Sequence, residues 1–258
     1  MRDIFSFPRF WRLLVKHTSE HYRAYGMSAG VLAGVLILCG LFLFAIAPDA
    51  LDPGFQGASY VLLLWISGGI FTSTVFTEYG EKTKAIPALT LPATSFEKFL
   101  IGWVFSYPVF MVVYTAVFYL ALMALSSFWR MPPGRHFMMF NVFRPEIPVF
   151  WVLFTVIHSL SLFGAVFFKK LQFIKTGFIF FIALVLVVFC NTLFLKGLTG
   201  VDVEKIEIPF GFFNFYTGDR MYSVGTSETA SLLVIVLLLV VAITIWVAAY
   251  FRLKEKQV

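Results

Sequence analysis

The chain has 258 residues, of which 60% are hydrophobic and 13% charged, and its formal net charge is +6 at pH 7. Soluble domains carry about 25% charged residues, so this composition excludes a soluble globular protein and indicates an integral membrane protein. Basic residues in such a protein first report orientation and contact with anionic lipid, so the charge does not indicate nucleic-acid binding. Both cysteines, Cys39 and Cys190, lie in apolar runs, which favours packing residues over a disulfide.

Residues 1–26 mix aromatic and basic side chains, and no cleavable signal peptide is evident. The pattern predicts an interfacial helix with its aromatic residues inserted into the membrane surface; an ordinary juxtamembrane stretch is the alternative. His17, Glu20 and His21 match the H-x-x-E-H pattern of one metalloprotease class. A basic segment without a third ligand does not suit zinc, so we interpret them as polar-face residues of the interfacial helix.

Six apolar runs are long enough to cross a bilayer core of about 30 Å as helices of about 20 residues each. The third contains Pro108, where we expect a tilt or kink. The second is diluted by small and hydroxyl residues, which pack against other helices more often than they face lipid. The runs predict an all-α polytopic membrane protein, a single transmembrane domain over 1–258, with spans at about 27–47, 59–77, 99–126, 148–168, 176–195 and 229–251.

The basic residues are distributed unevenly between the two sides of the membrane. With these six spans, 14 of the 20 Lys and Arg residues lie on the side of the two termini, and 6 lie on the other. The positive-inside rule then places both termini in the cytoplasm, together with the loop over 78–98. We therefore expect a multi-pass protein of the plasma membrane, the inner membrane in a bacterium with two.

Two longer loops are expected on the outer side. Residues 127–147 are rich in Arg, Pro and Phe, while 197–228 begins polar and then becomes aromatic. The second loop suits either a short re-entrant helix covered by protein or an amphipathic cap on the bundle. The first makes a polytopic enzyme a weak hypothesis, with an outer active site around Arg135, His136 and Arg144.

Two polar side chains lie within predicted spans. An ionisable group at membrane depth is a functional candidate, which draws attention to His158 in the fourth span. Its neighbours Thr155 and Ser159 favour an interhelical hydrogen bond instead. Asn191, in the fifth span, has the same interpretation.

A stripe of small residues marks the start of the first span: Gly26, Gly30 and Gly34. Glycines spaced by four residues let two helices approach closely. The partner is either a second copy of the protein or another span of the same chain, and the spacing does not choose between them.

A polar segment over 78–98 separates the second and third spans. Pro87 and Pro92 interrupt it, after which Thr94 or Ser95 can cap the next helix, with Glu97 near the positive helix end. The result is a short elbow joined to two spans, which suits mechanical coupling; a well-capped turn without a partner is the alternative. The G-x-x-x-x-G-K-[ST] spacing of a P-loop is absent, so no nucleotide site of the chain's own is expected.

The runs FTEYGEKTKAIPALTLPATSFEKFLIGW, over 76–103, and AAYFRLKEKQV, over 248–258, resemble the ABC type-2 exporter permeases, which have the type V exporter fold. The resemblance implies an N-terminal interfacial helix, six spans and a coupling segment that docks on a separate ATP-binding subunit holding ATP and Mg²⁺. It also implies a re-entrant outer element between the last two spans. On the matching positions, the candidate coupling residues are Glu78, Glu81, Lys82, Leu91, Pro92, Glu97 and Lys98.

The main hypothesis is therefore a non-enzymatic membrane subunit of an ATP-driven exporter, paired with a second or related permease copy and surrounded by membrane lipids. Its cargo is unknown; the Phe-rich spans suit a lipidic, amphipathic or peptide-like molecule. A non-transporting membrane scaffold or assembly factor is the alternative from another class.

Overall fold

In the part of the chain that the structure describes, the fold is all-α apart from one short hairpin. The computed structural model describes residues 5–46, 52–80, 93–128, 138–168, 170–199, 213–217, 220–224 and 228–255. Among them are six helical segments long and apolar enough to cross a membrane, so the chain is a multi-pass membrane protein. The elements are α1 (Phe7–Ile46), α2 (Pro53–Gly80), α3 (Ser95–Val104), a π-helical turn (Phe105–Val109), α4 (Phe110–Phe128), α5 (Ile147–Phe167), α6 (Gln172–Thr199), β1 (Phe213–Thr217), β2 (Arg220–Val224) and α7 (Glu228–Glu255).

Helix α1 continues through residue 26, where we predicted the boundary between an interfacial helix and the first span. It is one helix of 40 residues, with no break at residue 26. At 1.5 Å per residue it is about 60 Å long, roughly twice the thickness of a bilayer core. A single Gly in a helix costs only about 1 kcal/mol, which neighbouring contacts readily offset. Because His17 packs its ring on Phe105 at 4.7 Å, the N-terminal half of α1 lies along the bundle.

The third span consists of α3, the π-helical turn and α4 in direct succession. Pro108, where we predicted a tilt or kink, lies inside the π-helical turn. Proline has no N–H to donate, and one wider turn accommodates the missing bond without ending the helix. The N–H of Phe110 then donates to the carbonyls of Phe105 and Tyr107.

Helix α1 and the third span run parallel along their whole length. Arg9 contacts Glu97 near their starts, and Gly40 lies against Leu125 near their ends. The core lies between α2, the third span and α5, and one of its two clusters is built around Tyr60, Tyr114 and Phe154, which are fully buried. The hydroxyl-rich second span contributes as predicted, since Thr72 and Ser73 are buried.

The second core cluster marks one end of the bundle, where α1, α3 and α6 begin and α5 and α7 end. Phe76, Phe99, Val166 and Leu253 meet there. This end carries Arg9, Lys98, Lys170, Lys175 and Arg252, and we call it the basic end.

Helices α6 and α7 lie at the periphery. None of the most apolar stretch of α6 is buried within the chain, and only 11% of that of α7 is. Between them, β1 and β2 pair antiparallel with Phe215 opposite Tyr222. Residues 213–217 and 220–224 of the predicted outer loop therefore form a hairpin, and a re-entrant helix elsewhere in the loop stays a prediction.

Candidate coupling site

The start of α3 is closed by the cap that the sequence predicted. Thr94 is the N-cap residue, and its hydroxyl accepts a hydrogen bond from the N–H of Glu97 at 3.2 Å. The Glu97 carboxylate accepts one in return from the N–H of Thr94 at 3.1 Å. This capping box satisfies two backbone donors and places a negative charge at the positive end of the helix.

The same carboxylate binds the beginning of the chain. Arg9 donates from Nε to Oε2 at 2.6 Å and from Nη2 to Oε1 at 2.7 Å, so the pair is bidentate. The backbone N–H of Ser6 donates to Oε1 at 2.9 Å. Glu97 therefore has four N–H donors, two from side chain and two from backbone, and is fully buried while Arg9 is 37% exposed.

The arrangement acts as a clamp, which we define as Ser6, Arg9, Thr94 and Glu97. A buried carboxylate is tolerated only when it is paired and hydrogen-bonded, and here both conditions are met. Because each short N⁺–H···O⁻ bond fixes direction as well as distance, the clamp joins the start of α1 to the start of α3. A displacement of the segment that precedes α3 would therefore be transmitted to two helices.

Two of the predicted coupling residues are not exposed for docking. Glu97 is fully buried and Lys98 is 4% exposed. Phe99 next to them is buried against Phe76 and Tyr250. Neither side chain is therefore exposed in this structure, and a role of the two residues in coupling stays a prediction.

The other predicted coupling residues precede the clamp. Glu78 belongs to the last turn of α2. Glu81, Lys82, Leu91 and Pro92 lie outside the described residues.

A second polar network crosses the bundle at His158, which is fully buried on α5. The indole N–H of Trp246, on α7, donates to His158 Nδ1 at 3.1 Å. Since Nδ1 accepts, the ring carries its proton on Nε2, which donates to Ser106 Oγ at 2.9 Å. The prediction of a satisfied interhelical hydrogen bond at His158 is confirmed, and the network joins α5, α7 and the π-helical turn.

Aromatic residues enclose this network. Tyr107 lies 4.9 Å from the His158 ring between centroids, and its hydroxyl bonds Thr155 Oγ1 at 2.7 Å. The irregular turn around Pro108 is thus fixed to α5 by two adjacent residues, Ser106 and Tyr107. A neutral imidazole with a hydrogen bond at each nitrogen holds the spans together in this setting. Asn191, the other predicted intramembrane polar residue, is half-buried on α6.

The glycine stripe of α1 faces no other described part of the chain. A Cβ atom added at Gly26, Gly30 or Gly34 would meet nothing within 4 Å. By contrast, Gly40 on the same helix lies directly against Leu125. Among the described residues the stripe therefore packs on no other span, and its pairing with a second copy stays a prediction.

The polar side chains of the H-x-x-E-H motif bond to other residues of α1. His17 bonds the Tyr25 hydroxyl through Nε2 at 2.6 Å, and His21 donates from Nδ1 to the His17 carbonyl at 3.0 Å. Glu20 pairs with Lys16 on the exposed side. Within the described ranges no group of three or more His, Cys, Asp or Glu residues is placed to hold a metal ion.

No local pattern in the sequence indicated Arg9, Ser106 or Trp246 as partners of the predicted site residues. Arg9 is 88 positions from Glu97, and Trp246 is 88 from His158. Only the packing of helices far apart in the chain brings them together.

Comparison with known proteins does not place the chain in a family. No protein-family model matches it. No curated protein and no solved structure matches it either.

Proposed function

We propose that the chain is the membrane-spanning subunit of an ATP-driven exporter, powered by a separate ATPase subunit that contacts the segment between α2 and α3. The clamp is the observation that carries the proposal. It joins the end of that segment to α1 and to the third span through a fully buried carboxylate. A push on the segment would therefore tilt two spans together, as a coupling element requires.

Orientation and stoichiometry belong to the same proposal. The excess of basic residues supports a cytoplasmic location for the basic end, where a soluble ATPase is available. The open glycine stripe of α1 and the exposed apolar surface of α6 support a second permease copy beside the first. The cargo path would lie between the copies, and the ATP and Mg²⁺ would be held by the partner ATPase.

The proposal is tested by purifying the full chain from its native membranes in a mild detergent. We expect an ATPase subunit to co-purify in stoichiometric amount, and Glu81→Ala with Lys82→Ala to abolish its retention. Glu20→Gln is the matched control, because Glu20 is an exposed acid that pairs with Lys16 and makes no contact in the clamp, so its loss should leave retention unchanged.

Two results would oppose the proposal. If no ATPase is retained, or if the variant with Glu81→Ala and Lys82→Ala retains as much ATPase as the unchanged chain, the segment is not a docking element. A chain that is stable and active in cells without an ATPase would favour the membrane scaffold instead.

A further inference from the structure

The turn between α5 and α6 combines strain, exposed apolar surface and positive charge. Leu171 has φ 52°, the left-handed region that glycine favours, and its side chain is 65% exposed. Most of the leucine side chain is not packed within the chain, and the backbone at this position would be more relaxed as glycine. The neighbours hold the turn: Gln172 is buried, and its Nε2 donates to the Phe168 carbonyl at 3.1 Å.

The length of α5 sets the depth of this turn. Helix α5 has 21 residues, so its length of about 31 Å matches the hydrocarbon core of a bilayer. Since only a short turn separates its end from the apolar start of α6, the turn lies at the boundary between acyl chains and headgroups. An exposed leucine at that depth is in contact with lipid.

Cations from two elements converge on the same boundary. The Lys175 ammonium lies over the Phe168 ring at 5.6 Å, and the Arg252 guanidinium lies over the Phe167 ring at 5.4 Å. The two rings are adjacent, with centroids 5.1 Å apart. Lys170 is exposed in the turn itself. The end of α7 is thereby brought beside the turn.

The local charge is strongly positive. Within 167–175 and 251–255 the sequence has five basic residues, and Glu255 is the sole acid. That carboxylate is already paired with Arg252 at 2.5 Å. A phosphate group at headgroup level would therefore meet several cations and no unpaired carboxylate of these two segments.

We propose that the α5–α6 turn and the end of α7 form a binding site for an anionic phospholipid, with its phosphate among Lys170, Lys175 and Arg252 and its acyl chains against Leu171. Lipid contact explains why a strained position keeps an exposed leucine, and the cations explain a preference for anionic headgroups. This site is separate from the clamp and does not depend on an ATPase partner.

Native mass spectrometry of the detergent-solubilised full chain tests the proposal, with phosphatidylglycerol and phosphatidylcholine as probes. A cation near a lipid surface contributes about a fivefold gain in affinity, so Lys170→Gln with Lys175→Gln should weaken phosphatidylglycerol binding about 25-fold. Its phosphatidylcholine binding should change little. Lys196→Gln is the matched control, because Lys196 lies in the last turn of α6 at the opposite end and should leave both affinities unchanged.

Leu171→Gly separates the apolar contribution from folding. We expect it to weaken the binding of both lipids to the same extent. The melting temperature in detergent should stay equal or rise, because the left-handed backbone is relaxed. Unchanged phosphatidylglycerol affinity in the double lysine variant overturns the proposal. So does full competition by inorganic phosphate, which would indicate a site for the free anion, or a Leu171→Gly variant that melts earlier and binds both lipids as before.

Discussion

Replacement of Glu97 by alanine is the sharpest perturbation of the clamp. It removes the acceptor of four N–H groups at once: two on Arg9 and one each on Ser6 and Thr94. Because Glu97 is fully buried, water cannot replace the lost carboxylate without opening the contact between the starts of α1 and α3.

Two independent estimates give the magnitude. A hydrogen bond to a charged group contributes about 1.5–3 kcal/mol, so the two backbone donors alone account for about 3 kcal/mol or more. Removal of one partner from a buried ion pair costs about 3–5 kcal/mol. Arg9 is 37% exposed and can turn towards water, which places Glu97→Ala near the lower bound, at about 3 kcal/mol. Glu97→Gln keeps one acceptor oxygen and should lose about half as much.

The free energy of unfolding in mixed detergent micelles, measured by denaturant titration, provides the test. Glu20→Ala is the control, since its exposed pair with Lys16 contributes at most about 1 kcal/mol. If Glu97→Ala and Glu20→Ala unfold within 0.5 kcal/mol of each other, roughly the spread of ordinary surface substitutions, the clamp does not stabilise the fold.

Four further results are expected. Trp246→Phe leaves His158 Nδ1 without its donor and should cost about 1–3 kcal/mol in the same titration, whereas Trp11→Phe on the exposed face of α1 should cost nothing measurable. Nitrogen NMR of His158 should report a neutral ring protonated on Nε2, and a proton on Nδ1 would contradict the network. Gly164→Ala places a methyl group against Thr176 and should destabilise the chain by about 1–3 kcal/mol. Gly30→Ala should raise monomer stability by up to about 1 kcal/mol, because alanine is the better helix former and its methyl group meets no neighbour. It should also weaken self-association in analytical ultracentrifugation, and unchanged association would remove the stripe from the dimer surface.

Hydropathy and local chemistry predicted much of the fold. Six apolar runs became six candidate spans, because the absence of water leaves a helix as the simple way to satisfy backbone groups in lipid. The cap at Thr94 followed from side chains three residues apart, and the irregularity at Pro108 followed from its missing N–H. Each of these features depends on neighbours within one helical turn.

Where the structure differs from the sequence predictions, the cause is either a tertiary contact or a local signal that was overlooked. The continuity of α1 depends on contacts such as His17 with Phe105, which no local pattern reveals. The burial of Glu97 depends on Arg9, far away in the chain. The hairpin did have a signal, because Gly218 and Asp219 separate its two strands and such a pair is typical of a tight turn.

The central claim is that force from another subunit's ATPase enters through the segment between α2 and α3. The direct measurement is ATP hydrolysis in lipid nanodiscs, comparing the chain alone, its complex with the co-purified ATPase, and the complex carrying Glu97→Ala. We expect no hydrolysis by the chain alone, hydrolysis by the complex in the presence of Mg²⁺, and a clear change in that rate when the clamp is removed. Hydrolysis by the chain alone would contradict the account. So would a complex that hydrolyses ATP at the same rate with and without Glu97→Ala.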